Sequence, residues 1–189
     1  MNRLQKILPE KIYLHSSAQN DPITKRILAN LPDVAICELE QNGDPLTELG
    51  YRNETKDLFS QGKRELVLTH YHGSWLKACP GTSEHVCCNL WIVNPGSGCP
   101  LDCTYCYLQS YLQRNPTLKL FTNVDQMLEA IENKAQQEPA RLFRIGTGEV
   151  IDSLVWDPLA GLSEFIMPRI ARLENVVLEL KTKTNYVDT

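Results

Sequence analysis

The sequence predicts an α/β fold, with a small N-terminal βαβ subdomain followed by a partial (β/α) barrel. Short apolar segments of strand character alternate with segments of helical periodicity, and this order produces parallel sheets. A turn-rich segment at 77–85, which contains Pro80 and Gly81, separates two stretches of different pattern. We therefore expect an N-terminal α/β subdomain over 1–80 and the barrel over 81–189.

The N-terminal subdomain is predicted from alternating strands and helices. KIYLH at 11–15 and VAICELE at 34–40 have strand character, and a helix is expected between them at 19–30. This order predicts a small βαβ unit. A second helix is expected around 46–60, and a short apolar run within 64–72 indicates a buried strand.

The barrel is predicted from the strands and helices that follow Asn89. Asn123 is the expected N-cap of the helix VDQMLEAIENKAQQ, whose apolar residues fall on one face. Because a (β/α) barrel uses roughly 30 residues per strand and helix, the segment offers about three strands and we expect the chain to be truncated. The other expected elements are the strand LWIV, a helix over 104–114, the strand RLFRIG, a helix in GLSEFIMPRIARL and the strand NVVLELKTKT.

Composition and charge limit the class of protein. The chain is 42% hydrophobic and 22% charged, which is a globular composition, and it has no apolar run long enough to cross a bilayer. The N-terminus also lacks the apolar core of a signal peptide, so we expect a cytoplasmic protein with no membrane partner. A net charge of −4 argues against a non-specific nucleic-acid binder, but it is compatible with a local basic groove.

The strongest motif in the sequence is GCPLDCTYCYLQ, which places Cys99, Cys103 and Cys106 in a CxxxCxxC spacing. Three thiolates on a four-iron cluster leave one iron open for chemistry. Gly96 and Gly98 let the backbone bend around such a cluster, and Cys103 and Cys106 would share one face of a first helical turn. A chance match is expected in roughly 0.01 of sequences with this cysteine content.

The other cysteines leave alternatives open. A structural zinc site would need a fourth ligand from Cys79, Cys87, Cys88 or a histidine, and a ferredoxin-like electron carrier is a further alternative. Cys79, Cys87 and Cys88 could also hold a second metal, serve as a substitute hydrogen donor or be buried thiols. His70 and His72 would share one side of a strand, where structural or substrate-side roles are favoured over metal binding.

With Tyr105 in the aromatic position, the motif resembles the CxxxCx(aromatic)C motif of the radical S-adenosylmethionine superfamily. The wider string and the following helices resemble the spore photoproduct lyase family, which repairs an ultraviolet-induced thymine dimer in DNA. The resemblance implies a radical S-adenosylmethionine barrel with a 4Fe-4S cluster on the three cysteines. It also implies S-adenosyl-L-methionine on the open iron, which gives a 5'-deoxyadenosyl radical that takes hydrogen from the substrate.

The resemblance assigns roles to further residues. Tyr105 would lie against the adenine, and Tyr107 would match a tyrosine that passes the radical back to the cofactor. Lys183 would match a lysine near the methionine carboxylate. A plain core aromatic is the alternative for Tyr107, and an exposed strand lysine is the alternative for Lys183.

One residue departs from the family pattern. Glu149 stands where the lyase is expected to carry the cysteine that donates hydrogen to the repaired thymine radical. A carboxylate cannot donate a hydrogen atom as a thiol does, so the departure weakens the repair assignment. The string GTGE also resembles the GGE motif that binds the methionine amino group, and we favour that role for Glu149.

The implied substrate is damaged DNA or another nucleic-acid base, and the implied electron donor is a reduced protein of flavodoxin or ferredoxin type. Two alternatives remain. One is a radical S-adenosylmethionine enzyme of this lineage that acts on a non-DNA substrate. The other is a truncated metal-binding module without catalytic turnover.

Overall fold

The structure is a computed structural model that describes residues 8–39, 58–81, 83–112 and 117–186. Parallel strands and helices alternate in these residues, which confirms the predicted α/β class. No helix in the described ranges is long and apolar enough to span a membrane.

The chain divides into two compact units, and each is built from two separate segments. The first unit combines Met1–His70 with Gly96–Thr122, and the second combines Tyr71–Pro95 with Asn123–Thr189. These units follow the two sheets, because residues 96–122 supply strands to the N-terminal sheet. The sequence predicted one domain over 1–80 and another over 81–189, and this division into domains stays a prediction.

The first sheet has the strand order β2-β1-β3-β7-β6. β1 pairs in parallel with both β2 and β3, so the predicted βαβ unit is present, and β3 pairs in parallel with β7. Its strands are β1 Lys11–His15, β2 Ala35–Leu39, β3 Glu65–Thr69, β6 Gly96–Ser97 and β7 Leu118–Phe121. Its helices are α1 Pro22–Asn30, α2 Leu58–Gly62 and α3 Leu108–Tyr111.

The central strands of the first sheet are buried on both faces. Ile12, Tyr13 and Leu14 are consecutive and all buried, and so are Leu66 and Leu68 with the residue between them. Continuous apolar runs of this kind are typical of parallel strands covered on both sides. Burying such a run contributes about 1.5–3 kcal/mol per large side chain relative to exposure, so β1 and β3 anchor the unit.

The second sheet has the order β4-β5-β8-β9, and its last three strands are parallel neighbours in chain order. This arrangement matches the predicted start of a (β/α) barrel. Buried apolar residues of α4 recur at helical spacing, as the sequence predicted. The strands are β4 Lys77–Ala78, β5 Leu90–Val93, β8 Phe143–Thr147 and β9 Val176–Leu180, and the helices are α4 Val124–Gln137, α5 Asp157–Ala160 and α6 Leu162–Ile170.

Some predicted boundaries differ from the structure. The strand expected over 64–72 ends at Thr69, so His70 and His72 lie beyond it. The helix expected over 104–114 begins only at Leu108, because the residues before it form a separate turn. Most of the helix expected around 46–60 lies outside the described residues.

Asn123 occupies the predicted N-cap position of α4, but its side chain has a different role. Its amide oxygen accepts from the Tyr71 backbone N–H at 2.8 Å, and its amide nitrogen donates to the Tyr71 carbonyl at 2.9 Å. Within the described chain it makes no capping bond to the helix backbone. The residue therefore joins the start of α4 to the segment that follows β3.

A buried carboxylate in β3 makes stability depend on pH. Burial raises the pKa of Glu65, although hydrogen bonding from Gln61 and the nearby Lys11 oppose the shift. One carboxylate oxygen is buried without a hydrogen-bond partner among the described residues. Because the folded-state pKa is raised, the carboxyl favours folding at low pH and loses that contribution as pH rises through the folded-state pKa.

We expect Glu65→Gln to be more stable than the wild type at neutral pH, because it removes a poorly solvated charge. The gain in free energy of unfolding should shrink as the pH falls below the folded-state pKa. Urea denaturation at several pH values measures this difference. Glu129→Gln on the exposed side of α4 is the control, and equal pH profiles for the two variants would contradict the assignment.

Candidate metal and cofactor site

The cysteine loop begins at a glycine that no other residue can replace without strain. β6 pairs antiparallel with β7, which holds the start of the loop against the first sheet. Gly98 follows with φ of +87°, and a Cβ there would lie 3.0 Å from Leu118 Cδ2 and 3.3 Å from Leu118 Cα. The left-handed backbone and the close approach both require glycine.

A turn separates the second and third cysteines. The Cys106 N–H donates to the Cys103 carbonyl at 3.0 Å, and the Gln109 side-chain amide donates to the same carbonyl at 2.7 Å. α3 then starts at Leu108. Cys103 and Cys106 therefore lie on a turn before the helix, and the expected first helical turn is shifted along the chain.

The three cysteines of this loop have the ligand chemistry of an iron-sulfur cluster, but the structure does not gather their sulfur atoms into a ligand set. Cys99, Cys103 and Cys106 lie in one loop of the first unit and are partly exposed, and all seven cysteines of the chain are thiols. Thiolates are the usual ligands of such clusters. Among the described residues, no three His, Cys, Asp or Glu side chains are grouped closely enough to hold a metal ion.

The two tyrosines of the motif are exposed in the first unit. The exposed fractions are 74% for Tyr105 and 57% for Tyr107. Tyr107 occupies the N-cap position of α3, and its ring centroid lies 6.1 Å from that of Tyr111. The core-aromatic alternative for Tyr107 is therefore wrong, while the cofactor and radical roles of the two tyrosines remain predictions.

In the second unit, polar residues follow the carboxyl ends of the parallel strands. Asn94 follows β5, Glu149 follows β8 and Lys183 follows β9. The Asn94 side-chain amide donates to Glu149 at 3.2 Å. The Asn94 amide oxygen is buried, and it has no hydrogen-bond partner within the described chain. Ligands of parallel α/β folds bind at this edge of the sheet, so these groups are placed to meet one.

Asp152 fixes the segments after β8 and β9 to each other. One carboxylate oxygen accepts from the Leu154 N–H at 3.0 Å and from the Thr182 hydroxyl at 2.8 Å. The other oxygen accepts from the Lys183 N–H at 2.6 Å. The carboxylate is buried, and bonds to a charged acceptor are stronger than neutral ones. Asp152 therefore sets the backbone position of Lys183.

Ser153 makes a second connection between the same segments. Its hydroxyl donates to the Thr147 carbonyl at 2.7 Å and accepts from the Lys181 N–H at 2.8 Å. Gly148 has φ of +103°, and a Cβ there would lie 2.8 Å from the Ser153 hydroxyl oxygen. The loop that carries Glu149 is thus held tightly, and Gly148 is needed for its path.

The second sheet carries a charged cluster on one face and an aromatic pair on the other face. Arg144 donates from two nitrogens to one carboxylate oxygen of Glu179, at 2.9 and 2.5 Å. The hydrogen bond from Arg144 lowers the pKa of Glu179, and Lys181 adds a further cation nearby. Trp91 and Phe143 contact each other, and Lys134 of α4 lies over the Trp91 ring. Arg144 and Lys181 therefore both lie beside the acidic side chain of Glu179.

The remaining cysteines and histidines do not form a second metal site in the described residues. Cys87 and Cys88 are exposed and Cys79 is partly exposed, so the buried-thiol expectation fails for the adjacent pair. His70 has a carboxylate partner, since its Nε2 lies 2.7 Å from an oxygen of Asp21. A structural role for His70 is consistent with this pair.

A three-cysteine CxxxCxxC loop, together with a parallel α/β unit, defines the radical S-adenosylmethionine class of protein. Residues 7–189 match the family model described as spore photoproduct lyase, and the chain therefore belongs to the spore photoproduct lyase family. None of the curated proteins matches the chain by sequence.

Solved structures of spore photoproduct lyase share the fold. A double mutant with bound AdoMet and dinucleoside spore photoproduct is 20% identical, with a TM-score of 0.79 over 97% of this chain and 52% of that chain. The complex with dinucleoside spore photoproduct is 19% identical, with a TM-score of 0.75 over 92% of this chain and 49% of that chain. The chain thus spans about half the length of these relatives.

The sequence motifs did not indicate the groups that organise the carboxyl edge of the second sheet. Asn94 directly follows the strand LWIV, and this position at a strand end was the only available signal. The buried carboxylate of Asp152 accepts hydrogen bonds from Thr182 and Lys183, 30 and 31 residues away, and no local pattern indicates these contacts. Ser153 carried no signal, because its partners lie 6 and 28 residues away in sequence.

We expect Asp152→Ala to lower the free energy of unfolding by about 2–4 kcal/mol, because three bonds to a buried carboxylate are lost. Hydrogen exchange at the Lys183 amide should accelerate more than exchange in β1. Urea denaturation and exchange measured by mass spectrometry test both effects. Asp33→Ala at an exposed position is the control. An equal loss of stability in both variants would contradict the role of Asp152 in joining the segments after β8 and β9.

Proposed function

We propose that this chain carries the cofactor site of a radical S-adenosylmethionine lyase that acts on damaged DNA or another nucleic-acid base. The observation that carries the proposal is the match to the spore photoproduct lyase family over residues 7–189, which includes the whole three-cysteine loop. The three cysteines of that loop are partly exposed and form no disulfide, which supports cluster binding.

In this proposal Cys99, Cys103 and Cys106 hold the 4Fe-4S cluster through their thiolates. The bound cluster and S-adenosyl-L-methionine supply an electron and a carbon radical for hydrogen abstraction. Gly98 keeps the first ligand close to β7, because a side chain at that position would collide with Leu118. The protein's own contribution is to set the path of the loop.

The carboxyl edge of the second sheet would bind the polar groups of S-adenosyl-L-methionine. Glu149 is an exposed carboxylate and would accept from the methionine ammonium. Asn94 offers a buried amide oxygen to a second donor of the ligand. Lys183 would pair with the methionine carboxylate, since Asp152 already fixes its backbone.

The tyrosines would act on the nucleoside part of the cofactor. Tyr105 is exposed enough for its ring to lie against the adenine. Tyr107 would stand in the return path of the radical, where its phenolic O–H could give a hydrogen atom to one radical and regain one from the nucleoside of the cofactor. Its neighbour Tyr111 lies at a ring distance that permits contact, and this supports an aromatic pair near the cluster loop.

The substrate class is proposed from the relatives, whose solved complexes contain dinucleoside spore photoproduct. An external reductant is needed to deliver the electron, and a reduced flavodoxin or ferredoxin-type protein in the cytoplasm would supply it. Enzymes of this lineage would use the same cofactor-binding groups for any substrate. These groups are the motif tyrosines and the polar residues at the carboxyl edge of the second sheet. Substrate choice therefore depends on residues beyond the cofactor-binding groups.

A second candidate function is radical chemistry on a different substrate. Glu149 stands at the expected position of the hydrogen-donor cysteine, and it bonds to Asn94 at the sheet edge. A carboxylate in this place suits cofactor binding and cannot complete thymine repair by hydrogen transfer. This observation favours a related enzyme whose final step uses another donor.

We expect anaerobically reconstituted wild-type protein to bind iron and sulfide and to form 5'-deoxyadenosine with dithionite and S-adenosyl-L-methionine. Cys99→Ala, Cys103→Ala and Cys106→Ala should each reduce 5'-deoxyadenosine to the background level, because one cluster ligand is lost. Chromatography of the reaction mixture measures the product. Cys37→Ala in β2 is the matched control and should retain activity.

Different failures of this experiment have different meanings. Zinc bound by four protein ligands, or no iron at all in the wild type, would contradict the cluster assignment. Iron binding without 5'-deoxyadenosine would favour the metal-binding module without turnover.

Glu149→Cys distinguishes the two roles considered for Glu149. We expect 5'-deoxyadenosine formation to fall, because the variant lacks the carboxylate that would accept from the methionine ammonium. If Glu149 instead occupies the hydrogen-donor position, the yield of thymine dinucleotide per 5'-deoxyadenosine formed should rise. The introduced thiol can donate a hydrogen atom, which the wild-type carboxylate cannot. Glu174→Cys, at an exposed position in the turn before β9, is the matched control. Equal yields from both variants, with 5'-deoxyadenosine still formed, would place the donor position elsewhere.

A further inference from the structure

We propose that Lys63 positions the cysteine loop for the cluster and provides a fixed positive charge beside it. The inference rests on the proposed cluster site, and it concerns a residue that lies outside the cysteine motif. Lys63 belongs to the segment between α2 and β3 in the first unit. It reaches the loop across 38 residues of sequence.

The Lys63 side chain is only 11% exposed, which is unusual for an ammonium group. It donates a hydrogen bond of 2.8 Å to the Leu101 carbonyl and forms an ion pair with the Asp102 carboxylate. A buried charge is tolerated when it is paired and hydrogen-bonded, and these two acceptors satisfy that need. Both acceptors lie in the spacer between Cys99 and Cys103.

The two contacts differ in strength. The Asp102 side chain is 85% exposed, and ion pairs of exposed carboxylates contribute little because solvent screens them. The Leu101 carbonyl is a backbone group, so its bond to Lys63 fixes the path of the spacer directly. We therefore assign the positioning effect to the carbonyl bond.

Lys63 also lines the same cavity as two of the proposed ligands. The cavity wall includes Lys63, Gly98, Cys99, Leu101 and Cys106. A 4Fe-4S cluster with three thiolates carries negative charge, and reduction by one electron adds to it. A nearby cation in a partly apolar cavity stabilises the reduced state more than the oxidised state.

The proposal therefore has two measurable consequences. Without the ammonium, the spacer loses its anchor and the loop should release iron more readily. The reduction potential of the remaining clusters should also fall, because the extra negative charge is less stabilised. The second consequence would not arise from a merely structural role.

The experiment compares Lys63→Met, Lys63→Gln and Asp102→Asn with the wild type after anaerobic reconstitution. Lys63→Met removes both donor and charge, whereas Lys63→Gln keeps a neutral donor. Asp102→Asn leaves the bond to the Leu101 carbonyl intact. Lys25→Met, at an exposed position of α1, is the matched control.

We expect Lys63→Met to lose iron to a chelator about ten-fold faster than the wild type, a size typical of lost outer contacts to a metal site. Its potential in a dithionite titration followed by electron paramagnetic resonance should be more negative. Lys63→Gln should show the same shift in potential with smaller iron loss. Asp102→Asn and Lys25→Met should match the wild type in iron retention.

The inference would be overturned if Lys63→Met retained iron as long as the wild type and had the same reduction potential. If Lys63→Met fails to fold, as judged by circular dichroism of the apoprotein, Lys63→Gln decides the result by its potential. Wild-type protein that binds no iron would instead refute the cluster assignment, so the two failures are distinguishable.

Discussion

The parallel pairing of β7 with β3 is the constraint on which the first unit and its cysteine loop depend. Leu118 pairs with Leu66 and Leu120 pairs with Leu68, and all four side chains are buried. Because β6 pairs in turn with β7, the residue before the first cysteine is fixed against the same strands. The N-terminal strands therefore support the cysteine loop.

The two units hold their candidate site segments by different interactions. These segments are the cysteine loop in the first unit and the chain after β8 and β9 in the second unit. In the first unit, apolar strands, a glycine with positive φ and a buried ammonium shape the cysteine loop. In the second unit, the buried acceptors of Asp152 and Ser153 bind backbone N–H groups at the ends of β8 and β9. Backbone groups at strand ends need partners, and these side chains supply them within the buried edge.

The sequence predicted the regular elements well because their signals are local. The apolar run of β3 and the helical periodicity of α4 identify those elements directly. The pairing of β7, the anchor Lys63 and the buried Asp152 depend on partners 30 or more residues away, and periodicity carries no information about them. The cysteine motif was identifiable because its spacing is short, while the late start of α3 reflects the turn at Cys103.

The two-segment construction of the first unit affects how the chain folds during synthesis. β3 has its neighbour β1 early, but its other edge stays open until Leu118–Phe121 leaves the ribosome, after β5 of the other sheet has been made. An open edge of an apolar strand is a site for aggregation with other chains. Nascent chains that stop between β3 and β7 would therefore be the species most dependent on chaperones.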